Sequence, residues 1–304
     1  MLRPLPHRGD VVAAGAVALA ALVGLLQLRF NDVWGDGVHL VYSAAALAFV
    51  AAMALQAPRE GPEPRAYQSA LLATTFALAV PALARLAQAL GSNGLDSSGT
   101  LAWVGGALAA IGLRLATARA SAVCLLLGAV SLVIGLVGFV DWAFSPGGVS
   151  TFRWVLATLT ALFALATVAL RDSSPPRAAA VADAGGLAAL ALALTFALQQ
   201  GLAISAFSPG VGTGWELFLY ACGFGLCAYS AVDRAPGPGW IGVAILVVTT
   251  LVAAGGKSTL IGWPLVLGAG AGVLLVVGLR PSRPLPPAPS RGEAAQVYEI
   301  RDER

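Results

Sequence analysis

The stretch "ASAVCLLLGAVSLVIGLVGFVDWAFS", Ala120 to Ser145, carries no charged side chain before Asp141. As a helix rising 1.5 Å per residue it is about 38 Å long. The hydrocarbon core of a bilayer is ~30 Å thick, and roughly 20 apolar residues cross it. This stretch is therefore a membrane span. Runs of the same texture, parted by short loops of Gly, Pro, Ser and Asp, fill the chain from residue 11 to residue 279. Only 11% of the 304 residues are charged and 58% are hydrophobic, with a mean hydropathy of +0.82. A soluble domain carries about 25% charged residues. Strands of an outer-membrane barrel alternate polar and apolar over about ten residues, and no such alternation is present. The expected fold class is all-α: a polytopic transmembrane bundle of short-loop helical hairpins.

Ten spans are expected, over 11–28, 38–56, 67–90, 100–118, 120–145, 151–170, 180–207, 213–232, 240–255 and 260–279. The fourth and ninth are the shortest uncharged runs. The first begins after a basic stretch, as a secretory signal does. It is long, however, and ends in Leu28-Arg29-Phe30 with no small-residue cleavage site, so it reads as a retained helix. Residues 1–280 form one membrane domain and 281–304 a Pro-rich tail. Five prolines between Pro281 and Pro289 exclude a helix there and favour an extended segment.

Basic residues collect in cytoplasmic loops. With the N-terminus inside, Arg3, Arg8, Arg59, Arg65, Arg114, Arg119, Arg171, Arg177, Arg234, Arg280, Arg283, Arg291, Arg301 and Arg304 share one side, 14 of the 18 basic residues. Arg29, Arg85, Arg153 and Lys257 remain for the other. Both termini are expected in the cytoplasm, in a plasma or inner membrane. The net charge of +3 and pI near 9.0 do not point to nucleic acid, because the arginines are spread over many loops and form no single face.

This layout disposes of "GGKST", Gly255 to Thr259, which has the letters of a phosphate-binding loop. It falls in the last outer loop, lacks the first glycine (Leu251 stands there), and no strand leads into it. It reads as a tight interfacial turn. Cys124, Cys222 and Cys227 all sit inside apolar runs and read as packing residues. No zinc-binding His pair, nucleophile elbow or pair of intramembrane aspartates is present. Neither a cofactor nor a metal is implied, and no catalytic constellation stands out. His39, near Asp32 and Asp36, reads as part of a solvated loop.

Each even-numbered span opens on an aromatic (Tyr42, Trp103, Trp154, Trp215, Trp263) and closes on an arginine (Arg59, Arg119, Arg171, Arg234, Arg280). Interfacial preference alone produces such a rhythm. "AFSPG" occurs at Ala143–Gly147 and again at Ala206–Gly210, each time before a tryptophan-bearing span. Spans five and six thus read as a candidate duplicate of seven and eight, in the same orientation.

Buried charge at mid-depth is costly and marks function, and the central third of each span has none. Polar groups gather instead toward the outer ends: Arg85, Gln88, Asp141, Arg153, Gln199, Gln200 and Glu216. Asp141 and Arg153 flank one turn and are placed to pair, and Arg85 must snorkel outward or meet an acceptor such as Asp141 or Glu216. These residues either staple helix ends or line an outward vestibule for a small polar or anionic solute. Mid-depth hydroxyls such as Thr74, Ser131, Thr160 and Thr249 and glycines such as those of Gly268–Gly272 read as packing.

Ten spans in 304 residues with both ends inside resembles the layout of the drug/metabolite transporter superfamily, in topology alone. That resemblance implies two inverted five-helix halves, with spans four and nine in corresponding places, and a carrier activity. The other reading is a non-catalytic membrane subunit or scaffold. Its partners would be the lipid bilayer and a protein docking on the tail segment Arg283–Pro289, "RPLPPAP", whose spacing suits grooves that read polyproline.

Overall fold

The computed structural model describes residues 9–30, 33–58, 64–202, 211–255 and Gly268. Among them are nine helices long and apolar enough to cross a membrane, and no strand. They are α1 (Gly9–Arg29), α2 (Asp36–Gln56), α3 (Ala66–Ala89), α4 (Ser98–Arg119), α5 (Ala122–Phe144), α6 (Val149–Leu170), α7 (Pro175–Leu202), α8 (Thr213–Asp233) and α9 (Pro236–Gly255). The expected tenth span, the tail with Arg283–Pro289, the Lys257 turn, His7 and the second AFSPG copy lie outside the described residues.

The fourth and ninth spans are longer than their uncharged runs suggested: α4 has 22 residues and α9 has 20. Proline explains α9, because Pro236 needs no N–H at the first helical position. The same logic starts α7 at Pro175, five residues before the expected 180, with the Ser174 carbonyl accepting the Ala178 N–H at 2.9 Å. Two connections are only two residues long, 120–121 and 234–235. Each reverses the chain through a left-handed residue, Ala120 at φ 54° and Arg234 at φ 55°. At a residue with a Cβ that conformation costs about 1 kcal/mol, which the packing of the two helices must offset.

The packing follows one rule. Each even helix lies tightly along the odd helix that follows it: α2 on α3, α4 on α5, α6 on α7, α8 on α9. Each odd helix also touches the next odd one, so α1, α3, α5, α7 and α9 make a continuous row. Within the row neighbours are parallel: Asp183 lies against Gly237, and Gly186 against Ile241. The contact pattern therefore repeats every two helices, without inversion. A five-helix repeat would map the α1–α3 packing onto α6 and α8, which do not pack along one another.

The α4–α5 pair is the closest approach. A Cβ on Gly112 would sit 2.5 Å from Gly128 Cα, and one on Gly105 2.5 Å from Gly135 Cα. Glycine lets the two backbones meet, and dispersion between them replaces the missing hydrophobic drive inside lipid. Two apolar cores result. One joins α1–α5 through residues such as Val50, Leu71, Leu78 and Cys124, and the other joins α5–α9 through Leu156, Leu192, Leu219 and Ile245. Among the described residues, α5 is the helix whose buried residues enter both, Cys124 the first and Val133 the second.

The even helices are tied to each other at their arginine-bearing ends. Arg119, closing α4, donates to the Ala57 carbonyl at 3.1 Å and to the Leu55 carbonyl, at the end of α2. Arg171, after α6, donates to Asp233 Oδ1 at 2.7 Å, at the end of α8. That bond raises the guanidinium pKa beyond its ordinary value.

Candidate functional site

Four of the seven residues expected to line one vestibule, Arg85 with Gln88 and Arg153 with Gln199, form two clusters at the face opposite the arginine-bearing ends. In the first, Arg85 on α3 donates to Asp36 Oδ1 at 3.0 Å and to Gln88 Oε1 at 2.9 Å. Its expected acceptors, Asp141 and Glu216, are replaced by Asp36, because α2 opens with Asp36 beside the closing turns of α3. His39 corrects a second expectation. It is not in a solvated loop but inside α2, at 0% exposure. Its Nε2 donates to the Phe30 carbonyl at 3.2 Å, since a carbonyl only accepts, and its Nδ1 shares a 2.7 Å hydrogen bond with the Tyr42 hydroxyl. Trp34 stacks on Phe30 with centroids 4.5 Å apart and meets both His39 and Tyr42. This is a knot that closes the α1–α2 connection.

In the second cluster Arg153 turns away from Asp141, which lies exposed in the last turn of α5. Arg153 Nε donates to Thr195 Oγ1 at 3.1 Å, and Nη2 reaches Gln199 Oε1 at 2.5 Å and the Thr195 carbonyl at 3.4 Å. The guanidinium also covers the Phe196 ring at 3.7 Å, a cation–π contact. Trp215 packs against Trp154, Phe196 and Phe218 around it. An ammonium has no planar fork and reproduces only part of this set. Arg153→Lys is therefore expected to lose about 1 kcal/mol of stability in detergent unfolding, a modest value because the site is partly hydrated. Glu216 belongs to α8, where its Oε1 is buried without a hydrogen-bond partner. The side chain of Gln200 lies outside the described residues.

At mid-depth the hydroxyls turn back on their own helices. Thr74, Thr75, Ser131, Thr160, Thr167 and Thr250 each donate to the carbonyl four residues earlier, at 2.7–2.8 Å. Among the described residues, Thr249 is a buried hydroxyl without a partner. Two concavities lie among the described residues. A slot of about 380 Å³ lies between α6, α7 and α8, lined by groups such as Ala164, Val168, Gly186, Ala189, Phe218 and Cys222. It lies between the levels of the Trp154–Trp215 contact and the Arg171–Asp233 pair, which stand at opposite ends of α6 and α8. A more open groove of about 650 Å³ runs between α4 and α5, beside Trp103, Trp142 and the Ser92–Thr100 hydrogen bond. Neither is lined jointly by α3, α4, α8 and α9.

Sequence reading passed over one carboxylate. Asp183 is the ninth residue of α7 because the helix begins at Pro175. Its Oδ1 is buried without a partner, and its Oδ2 lies 2.7 Å from where a Gly237 Cβ would stand. It thus faces the first turn of α9, where the helix dipole favours an anion. The usable signal was the Pro175-Pro176 start, which moves Asp183 two turns into the helix. Among the described residues, no three His, Cys, Asp or Glu side chains converge as metal ligands.

The chain matches no protein-family model, no curated protein and no solved structure, so its local geometry and its packing repeat are the basis for assigning a role.

Proposed function

We propose that this chain is a non-catalytic membrane subunit or scaffold. It crosses a plasma or inner membrane ten times, keeps both termini in the cytoplasm, and offers the Arg283–Pro289 segment to a protein partner. One observation carries the reading: apart from Thr249, the mid-depth hydroxyls named above are committed to their own helices. A solute path needs polar groups that face the path. Of the vestibule residues, Arg85 and Gln88 are satisfied with Asp36 between α2 and α3, and Arg153 and Gln199 between α6 and α7.

The second reading is a carrier for a small polar or anionic solute. What favours it is the outer end of α8, where a buried Glu216 oxygen lacks a partner in the helix that also presents Trp215 to Arg153's cage.

Cysteine accessibility separates the two. With Cys124, Cys222 and Cys227 replaced by alanine, Thr75→Cys, Ser131→Cys, Thr160→Cys and Thr249→Cys are each challenged with an impermeant thiosulfonate from either side. Asp96→Cys, in the short 3-10 turn before α4, serves as the exposed reference from outside, and Arg177→Cys from inside. The scaffold reading expects both references to label fully and all four mid-depth positions to stay unreacted. Labelling at any of the four at a rate within about ten-fold of Asp96→Cys, a barrier difference of roughly 1.4 kcal/mol, overturns it in favour of the carrier.

A further inference from the structure

α6 and α8 are joined at both ends and stand apart between them. Trp154 and Trp215 meet at one end with ring centroids 4.9 Å apart, and Arg171 binds Asp233 at the other. Along their middles the two helices do not pack on one another, and each packs on α7 instead. The slot of about 380 Å³ occupies that interval, with α7 as its floor. On α8 its wall runs from Phe218 to Tyr229, about 17 Å at 1.5 Å per residue.

Size and chemistry together select the occupant. Spread over that length, the volume gives a cross-section of about 22 Å², a channel roughly 5 Å wide. A helix is about 10–12 Å across with its side chains, which excludes a further helix, from this chain or from a second copy. A methylene chain fits, because its carbons make contact with their neighbours at about 3.5–4.0 Å. Water has no partners there. Thr160 and Thr167, on the α6 wall, donate to the Leu156 and Phe163 carbonyls at 2.8 Å, whereas a buried water takes about two to four polar partners. Ala182 and Ala189 on α7 and Gly225 on α8 add only small apolar surface.

We infer that the slot is a binding site for one acyl chain of a phospholipid, drawn from the leaflet at the arginine-bearing ends. Half of the ~30 Å hydrocarbon core is about 15 Å, so a chain from that leaflet runs the length of the slot. The headgroup then lies level with Arg171. Arg171 Nε and Nη2 donate to Asp233 Oδ1 at 3.2 and 2.7 Å, and Nη1 takes part in neither bond. With 46% of the side chain exposed, that nitrogen can donate to a phosphodiester oxygen. The acyl chain supplies the dispersion that α6 and α8 do not give each other. The inference does not rest on the scaffold reading, and a solute path past Thr75, Ser131 or Thr249 leaves it standing.

Retention through detergent separates a seated chain from bulk lipid. The protein is reconstituted in vesicles of phosphatidylglycerol that carries a diazirine midway along one acyl chain. It is then exchanged exhaustively into lipid-free detergent, illuminated and digested for mass spectrometry. About one phospholipid per protein is expected to remain. Its cross-links should fall on residues 218–229 at about ten-fold the level at Leu162 and Leu165, which are 54% and 68% exposed on α6. Gly225→Leu enters the slot from a position where a Cβ would meet nothing within 4 Å. It should lower the retained phospholipid about ten-fold, because a leucine side chain and the acyl carbons cannot share the space. Gly15→Leu makes the same change of helix propensity on α1, at an exposed position with equally open surroundings, and should retain as much as the parent. Three results overturn the inference. One is a parent protein that keeps no phospholipid. Another is cross-linking on α8 no denser than at Leu162 and Leu165. The last is equal retention by Gly225→Leu and Gly15→Leu.

Discussion

Gly105→Ala and Gly112→Ala are each expected to lower stability by about 3 kcal/mol, the upper end of the range for overpacking a tight contact. In both, the new methyl falls 2.5 Å from a backbone Cα of α5. A flexible side chain would move aside, whereas a Cα can shift only by separating the two helices. Separation forfeits dispersion along the closest helix pair in the molecule, and in lipid no hydrophobic term replaces it. The comparison that isolates this cause is Gly106→Ala. Gly106 is adjacent to Gly105, yet its Cβ would meet nothing within 4 Å. Its stability should stay within about 0.5 kcal/mol of the parent, as for a surface change. Unfolding in mixed detergent provides the measurement. Helix propensity favours alanine over glycine at both positions, so equal losses at 105 and 106 would show that the close α4–α5 contact is not what the substitutions break.

Arg85→Ala is the second large effect. Arg85 is 9% exposed and holds Asp36 and Gln88 together across α2 and α3. Breaking a fully buried pair costs 3–5 kcal/mol. Asp36 keeps 53% of its side-chain exposure and can be rehydrated, so the loss should be nearer to about 2 kcal/mol. Asp36→Asn retains an oxygen acceptor and should cost less than half of that. Arg29→Ala, at the exposed end of α1, should leave the unfolding midpoint unchanged. If Arg29→Ala and Arg85→Ala unfold alike, the Arg85 contacts contribute nothing to the folded state.

These two effects mark what the sequence made legible. Nine expected spans correspond to helices because a run such as Ala122 to Val140 has no polar alternative to a buried helix. Boundaries were harder. Trimming at the first charge or proline shortened α4 and α9 and set the start of α7 five residues late, although a helix tolerates proline in its first turn and arginine in its last. The site was less legible than the fold. Arg85 was recognised as needing water or an acceptor, but its partner came from the start of α2, and Asp36 had been read as loop with His39. A hairpin puts the first turn of one helix level with the last turn of the next, and that level, 49 residues away in the chain, is set by helix length and not by local pattern. Asp141 and Arg153 illustrate the converse. They are neighbours in sequence, yet Arg153 gains three acceptors and an aromatic face on α7 that a carboxylate in the preceding turn does not offer.

The two-residue turns at 120–121 and 234–235 bear on how the chain is made. α4 and α8 are the least apolar of the nine helices, with peak hydropathies of 1.5 and 1.3, against 2.8 for α5 and 1.7 for α9. A nascent α4 leaving the ribosome has little reason to partition into lipid alone, and its glycines have nothing to touch until α5 emerges. Because so short a reversal already holds the two antiparallel, the later and greasier helix can carry the earlier one in with it. Biosynthesis would then proceed by pairs, each hairpin waiting at the insertion gate for its second arm.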